Sequence, residues 1–117
     1  MGLVELDRLP ELRLAEGAHA RIVTGQFMTV AHVHLAAGTE IPEHAHVHEQ
    51  VVNVVEGQLE LTVDGTPHSL VPGKVMVLPP NVPHSGRAIT DCRVIDVFHP
   101  VRDDFRGASF GGYEDKD

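Results

Sequence analysis

Cysteine, basic residues and long apolar segments are scarce in this chain, and each scarcity excludes a class of protein. Cys92 is the only cysteine among 117 residues, which rules out a disulfide framework and a zinc ribbon. There are 9 lysines and arginines against 17 acidic residues, and the formal net charge is -8. This balance argues against nucleic acid as a partner. It permits an anionic small molecule, because a metal ion and one or two arginines can dominate a pocket locally.

The N-terminus carries no long apolar segment, since Glu5 already interrupts it. We therefore expect no signal peptide, no transmembrane span, no membrane partner and a cytoplasmic location. Hydrophobic residues make up 42% of the chain, which favours a packed core over disorder. We expect a single domain over residues 1–117, with a core at about 18–105. Residues 1–17 and the glycine-rich tail 107–117 are expected to be peripheral.

Short apolar segments broken by Gly, Pro, Asn and Asp at intervals of about ten residues predict an all-β sandwich or barrel. Asp64-Gly65 predicts a tight hairpin turn. The nearly continuous apolar segment 74–78 predicts a strand that is either buried on both sides or located at a sheet interface. Residues 4–14 are compatible with either a short strand or a helical turn. The other predicted strands are 21–24, 27–35, 51–55, 59–63 and 93–98.

Histidines dominate the segment from Glu43 to Val51. His44 and His46 are two residues apart, so on an extended chain both side chains lie on one face. Neutral imidazole is a common ligand of transition metals. A straight strand would carry Gln50 roughly 13 Å from His46, so the chain must bend to bring its carbonyl oxygen back. His84 follows a proline-rich turn that restricts the backbone.

The spacing of these residues resembles the two motifs of the cupin family. Around the His-x-His pair, the first motif places a glycine at each end and one further ligand, here Gln50. The resemblance implies a double-stranded β-helix, a jelly-roll-like barrel, with a metal bound by His44, His46, Gln50 and His84. The matching positions are Gly38, His44, His46, Gln50 and Gly57 in the first motif and Gly73, Pro79, Asn81, His84 and Ala88 in the second.

Two positions depart from the usual cupin pattern. Asn81 replaces a glycine, which is mild because Asn tolerates a left-handed turn. Gln50 replaces a glutamate, so the ligand set leaves the charge of a dication uncompensated and should bind it less tightly. The ion should then polarise an oxygen ligand more strongly. Alternatively, Gln50 does not bind the metal and contacts a bound water instead.

The remaining histidines carry weaker signals. His48 continues the alternation, and we expect it beside the metal as a neighbour or proton carrier. His32 and His34 share one side of a strand and could line a cavity. His19, His68 and His99 are expected to be surface or satisfied polar residues.

Near the C-terminus, Asp96 and Phe98 have the same parity on a predicted strand, opposite Ile95 and Val97. Asp96 should therefore face either solvent or the barrel lumen, where it would be a candidate acid or base. The string from Asp96 to Phe105, with His-Glu-Gln at 48–50, resembles the small cupins that linearise 4,5-unsaturated uronates in pectin and alginate breakdown. That resemblance implies a homodimer with Asp96, Phe98 and Arg102 in the active site. The residue chemistry is compatible with that role: Arg102 could bind the substrate carboxylate with a forked pair of hydrogen bonds, and Phe98 could form an apolar wall beneath the sugar.

These features predict a metal cupin acting on a small, anionic, sugar-like substrate by ring opening without redox chemistry. Zn, Ni, Mn or Fe would each serve. One alternative is an iron-dependent dioxygenase, which the same ligands would permit. A second alternative is a binding module without catalysis.

Overall fold

A computed structural model describes residues 2–105, which form ten strands and two short 3-10 turns, at Leu6–Arg8 and Asp103–Phe105. None of the described helical segments is long and apolar enough to cross a membrane. The strands are β1 (Leu12–Ala15), β2 (Ala18–Thr24), β3 (Thr29–Leu35), β4 (Glu40–His44), β5 (Glu49–Glu56), β6 (Leu59–Val63), β7 (Thr66–Leu70), β8 (Val75–Leu78), β9 (His84–Ala88) and β10 (Cys92–His99).

The strands pair into two antiparallel sheets. The larger sheet has the order β1-β2-β3-β10-β5-β8, and the smaller has the order β4-β9-β6-β7. Buried Val and Leu side chains from both sheets form one core. This arrangement follows from the alternation of apolar residues, since period-two strands bury one face each. The predicted all-β jelly-roll-like class is confirmed.

Two turns adopt the left-handed conformation that the sequence predicts. Asp64 (φ 48°) and Gly65 (φ 84°) connect β6 to β7, in the geometry of a tight hairpin turn. Asn81 lies in the left-handed region with φ 66°, and its N–H donates to the carbonyl oxygen of His46 at 2.7 Å. Asn81 therefore joins the turn before His84 to the loop that carries His46.

The structure corrects two predictions. Segment 74–78 is not buried on both sides, because β8 is an edge strand whose Val75 and Val77 are 52% and 56% exposed. Residues 1–17 are not wholly peripheral, because β1 pairs with β2 and places Leu14 in the core. Segment 4–14 holds both alternatives, a 3-10 turn and the start of a strand. The predicted tail 107–117 lies outside the described residues.

The chain crossings bring the motif residues together. After β4, in the smaller sheet, the chain crosses to β5 in the larger one, which produces the bend expected before Gln50. His84 begins β9 and lies opposite His44 in the register of β4 and β9. Gln50 lies opposite Phe98 of β10. The ends of four strands therefore meet at one end of the barrel.

Gly57 tests the turn after β5. It has φ 91°, and a Cβ there would clash with the backbone oxygen of Asp91. Gly57→Ala should lower the free energy of unfolding by more than about 2 kcal/mol, through backbone strain and this clash together. Thermal or urea denaturation measures the loss.

Gly65→Ala is the matched control, because Gly65 also has positive φ but nothing lies within 4 Å of the position that a Cβ would take. It should cost less than Gly57→Ala. Equal costs for the two variants would show that the contact with Asp91 is unimportant.

Candidate metal centre and lumen

Three histidines converge at one end of the barrel. His44, His46 and His84 each offer a ring nitrogen, and these nitrogens lie within 4.8 Å of one another. The ring centroids of His44 and His84 are 4.2 Å apart, and those of His46 and His84 are 5.1 Å apart. His46 lies beyond the end of β4, so the two residues of the His-x-His pair meet across a strand end instead of along one strand.

Backbone carbonyls orient all three rings. Each histidine has its Nδ1 within hydrogen-bonding distance of a carbonyl oxygen, which can only accept a hydrogen bond. Nδ1 therefore carries the proton, and the neutral ring keeps an electron pair on Nε2 for a metal. The acceptors are the oxygens of Pro42 for His44 (2.8 Å), His48 for His46 (3.1 Å) and Val82 for His84 (2.9 Å).

Burial favours the neutral form of these rings. Burial, then the charge of Arg102 and the neighbouring His84, lower the pKa of His46 to about 4, although the hydrogen bond that a protonated ring would donate to Gln50 opposes the shift. Burial also lowers the pKa of His84. At neutral pH both rings are therefore uncharged, the state in which imidazole binds metals. His84 Nε2 is buried without a hydrogen-bond partner.

Gln50 faces the same space. Its side chain is buried, and its Oε1 lies 3.1 Å from His46 Nε2. With the proton of His46 on Nδ1, two electron pairs face each other across this gap, an arrangement that a shared cation would satisfy. The three imidazoles and the amide oxygen therefore fit a divalent transition metal ion.

Asp96 lies inside the barrel, as its parity on β10 allowed. Its side chain is buried beside Gln50, and Oδ1 has no hydrogen-bond partner. Burial raises the pKa of Asp96 to about 7, although a hydrogen bond from Gln50 and the charge of Arg102 both act to lower it. The carboxyl group is therefore able to exchange a proton near neutral pH.

Arg102 lies near the Asp96 carboxyl, but its hydrogen-bond partner differs from the expected substrate carboxylate. Its Nε and Nη2 donate to the two carboxylate oxygens of Asp104, at 2.9 and 2.5 Å. The forked edge expected to bind a substrate is thus engaged within the chain. Nη1 is the buried nitrogen of Arg102 that has no partner.

Phe98 supports the site from behind. It is fully buried, with its ring centroid 5.7 Å from His46 and 4.9 Å from Arg102 Cζ. It does not line the central pocket, so the predicted apolar wall beneath a substrate is not formed by Phe98.

His48 is a neighbour of the metal site and lies outside the ligand cluster. Its ring lies at a right-angled edge contact to Phe98, 6.3 Å between centroids, and it has a hydrogen bond to the backbone of Val101. Its Nδ1 is buried without a partner, so Nε2 makes that bond. Burial, followed by the charge of Arg102, lowers the pKa of His48. His48 therefore presents an unprotonated nitrogen.

The pocket behind the histidines is mainly apolar. Its cavity volume is about 40 Å³, which has room for an ion with a water or two at its closed end. Polar groups lie at one side of an otherwise aliphatic wall, which directs a ligand's orientation. The polar residues that line it are His44, Gln50, His84, Ser85 and Asp96.

His32 and His34 line a cavity, but not the central one. They lie on the outer face of β3, pair with Arg21 and His19 of β2, and line an outer groove together with these two residues. Neither lines the central pocket. Asp104 had no predicted role, although it belongs to the same C-terminal string as Arg102. Its contribution depends on how the chain turns after β10, which spacing does not indicate.

Comparison with known proteins agrees with this geometry. A family model for the cupin domain matches residues 31–98, and the chain belongs to the cupin family. The pectin degradation protein KdgF of Dickeya dadantii (strain 3937) is 29% identical over 102 residues, which cover 85% of this chain and 93% of that protein.

Two solved structures are similar over most of their length. KdgF from Halomonas sp. has a TM-score of 0.83 and 27% identity, covering 89% of this chain and 97% of that chain. An RmlC-like cupin from Shewanella frigidimarina NCIMB 400 has a TM-score of 0.84 and 28% identity, with 90% and 96% covered. The predicted resemblance to cupins of pectin breakdown is confirmed.

Metal content tests the ligand set. His84→Ala should lower affinity for zinc by at least about 100-fold, because it removes one imidazole from the cluster. Gln50→Glu should raise affinity, because a carboxylate offsets part of the charge of the ion. Competition with a fluorescent chelator measures both.

His68→Ala is the control, since His68 lies on β7, outside the cluster. It should leave affinity unchanged. Unchanged affinity in Gln50→Glu would show that residue 50 does not bind the metal.

Proposed function

We propose that this cupin is a metal-dependent enzyme that opens the ring of a small unsaturated sugar acid without net oxidation or reduction. The likeness to KdgF proteins, one of them named for pectin degradation, supports the substrate class. The residues around the lumen support the chemistry.

One observation carries the proposal. Among residues 2–105, four buried side-chain polar atoms have no hydrogen-bond partner, and all four belong to residues at this end of the barrel. Buried polar groups without partners are rare, and each costs free energy unless a ligand satisfies it. A purely structural lumen would have no reason to keep them. The four atoms are His48 Nδ1, His84 Nε2, Asp96 Oδ1 and Arg102 Nη1.

These atoms complement an acid that carries hydroxyl groups. Arg102 Nη1 is a charged donor and would bind the carboxylate of a uronate. His48 Nδ1 is an acceptor and would bind a hydroxyl group. A divalent ion bound by His44, His46, His84 and Gln50 would supply Lewis acidity toward a substrate oxygen.

Asp96 is the proposed proton carrier. When the ring opens, the anomeric hydroxyl loses its proton, the bond from the anomeric carbon to the ring oxygen breaks, and the former ring oxygen gains a proton, which leaves an aldehyde and an enol. The enol becomes a ketone when the adjacent carbon of the double bond gains a proton and the enol oxygen loses one. No electrons are gained or lost, so a carboxyl that accepts and returns a proton is sufficient.

Turnover tests this reaction. Zinc-loaded protein, incubated without oxygen with an unsaturated hexuronate monomer, should remove the ultraviolet absorbance of the conjugated double bond. Asp96→Asn should lower kcat by at least about 100-fold, because an amide cannot carry the proton. Its zinc content should persist, because Asn has nearly the same shape.

Asp64→Asn makes the same chemical change at an exposed turn and should keep full activity. A requirement for oxygen and iron would instead support a dioxygenase. Binding of the uronate without turnover in the wild type would support a binding protein.

We further propose a homodimer formed through the outer face of the larger sheet. Five valines from neighbouring strands lie in register across this face and form what we call the valine row. Val97 lies at its centre, and Val77 at its edge is 56% exposed. A second copy can cover such a row by two-fold symmetry, because the same apolar patch of each copy then faces the other. The row is Val23, Val30, Val97, Val51 and Val77.

Val97→Lys should convert the dimer to a monomer, because it places a charge at the centre of an apolar contact. Sedimentation velocity measures the change. Thr62→Lys, which adds the same side chain on β6 of the smaller sheet, should leave the dimer intact. A wild type that sediments as a monomer, or a Val97→Lys variant that remains dimeric, contradicts this interface.

A further inference from the structure

The side chain of Arg102 is held from several directions. Asp104 accepts hydrogen bonds from its Nε and Nη2 at 2.9 and 2.5 Å. The guanidinium carbon lies 4.1 Å from the ring centroid of Phe105 and 4.9 Å from that of Phe98. The backbone N–H of Arg102 donates to the buried Oγ1 of Thr29 at 2.9 Å. Few orientations of the guanidinium satisfy all these contacts together.

These contacts leave one nitrogen of the Arg102 guanidinium without a protein partner. Asp104 occupies the edge formed by Nε and Nη2, whereas Nη1 is buried and has no partner. The guanidinium carbon lies 4.9 Å from the ring centroid of Phe98, and that centroid lies 5.7 Å from the centroid of His46, so the guanidinium lies beside the histidine cluster. Nη1 is therefore the nitrogen best placed to meet a ligand there.

An ion pair between two solvent-exposed side chains contributes little free energy and would not hold a guanidinium in place. The Arg102–Asp104 pair is not of this kind. The side chain of Arg102 is 6% exposed and that of Asp104 is 45% exposed, so a carboxylate at the surface holds a cation in the interior. Burying an unpaired guanidinium is costly, and Asp104 reduces that cost while leaving Nη1 without a protein partner.

We propose that Asp104 is a positioning residue for carboxylate recognition, which orients Arg102 so that Nη1 meets the carboxylate of the substrate. This inference rests on the proposed function and deepens it. It assigns the selectivity for acids over uncharged sugars to the Asp104–Arg102 pair.

Two saturated probes test it by calorimetry on the zinc-loaded protein: galacturonate and its uncharged methyl ester. The wild type should bind the acid more tightly than the ester. Asp104→Asn should weaken binding of the acid by about tenfold, the scale of one charge-assisted hydrogen bond, and leave the ester unchanged. Asp104→Glu, which keeps the carboxylate, should restore part of the preference.

Asp103→Asn is the matched control, because it removes the same charge from the adjacent residue, and it should keep the preference for the acid. A residue with a purely structural role would change the binding of acid and ester equally. An equal loss for both probes in Asp104→Asn therefore overturns the proposal, as does an unchanged preference for the acid.

The orientation of Arg102 has a readout that needs no ligand. In ¹⁵N spectra of the wild type, the Nε–H signal of Arg102 should be shifted from those of arginines whose Nε–H faces solvent. Rotation about the Cζ–Nε bond of Arg102 should also be slow. Both features should be lost in Asp104→Asn and retained in Asp103→Asn. Their persistence in Asp104→Asn overturns the positioning role. A wild type that binds neither probe contradicts the proposed function alone, and these spectra then decide the role of Asp104.

Discussion

Three hydrogen bonds from histidine Nδ1 atoms to backbone carbonyls determine what the lumen of this cupin can bind. A carbonyl oxygen can only accept, so each bond fixes both the tautomer and the direction of the ring. The Nε2 atoms are then left to face one shared space. A side-chain partner, which can rotate or titrate, would not impose the same constraint.

The surrounding residues work within that constraint. Asn81 ties the turn before His84 to the carbonyl of His46, which links the two histidine-bearing segments through the backbone. Gln50 lies between His46 and Asp96, so the candidate metal ligands and the proposed proton carrier contact one amide. Phe98 and Phe105 then hold Arg102 at the far side. A change at any of these positions is expected to affect its neighbours, because contacting polar groups do not contribute additively.

The sequence predicted the structure best where residue spacing and the backbone preference of single residues are enough to define an element. The hairpin at Asp64-Gly65 and the left-handed Asn81 follow from residue preference, and the strand at β10 follows from alternation. Burial of 74–78 on both sides was wrong, because a continuous apolar segment does not reveal whether a neighbouring strand or sheet covers its outer face. The exposed face of β8 belongs instead to the valine row, whose members come from five different strands.

By itself, the sequence determined the fold class, the family motifs and the histidines that cluster, because these depend on residue type and on distances along the chain. Only the tertiary structure decided which side-chain atoms are left without a protein partner and can contact a ligand. In the tertiary structure, the forked edge of Arg102 donates to Asp104. Phe98 is buried outside the pocket lining, and His32 and His34 lie on the outer face of β3. The physical reason is that hydrogen-bond partners and burial depend on which strand ends meet, and the register between two sheets sets those meetings.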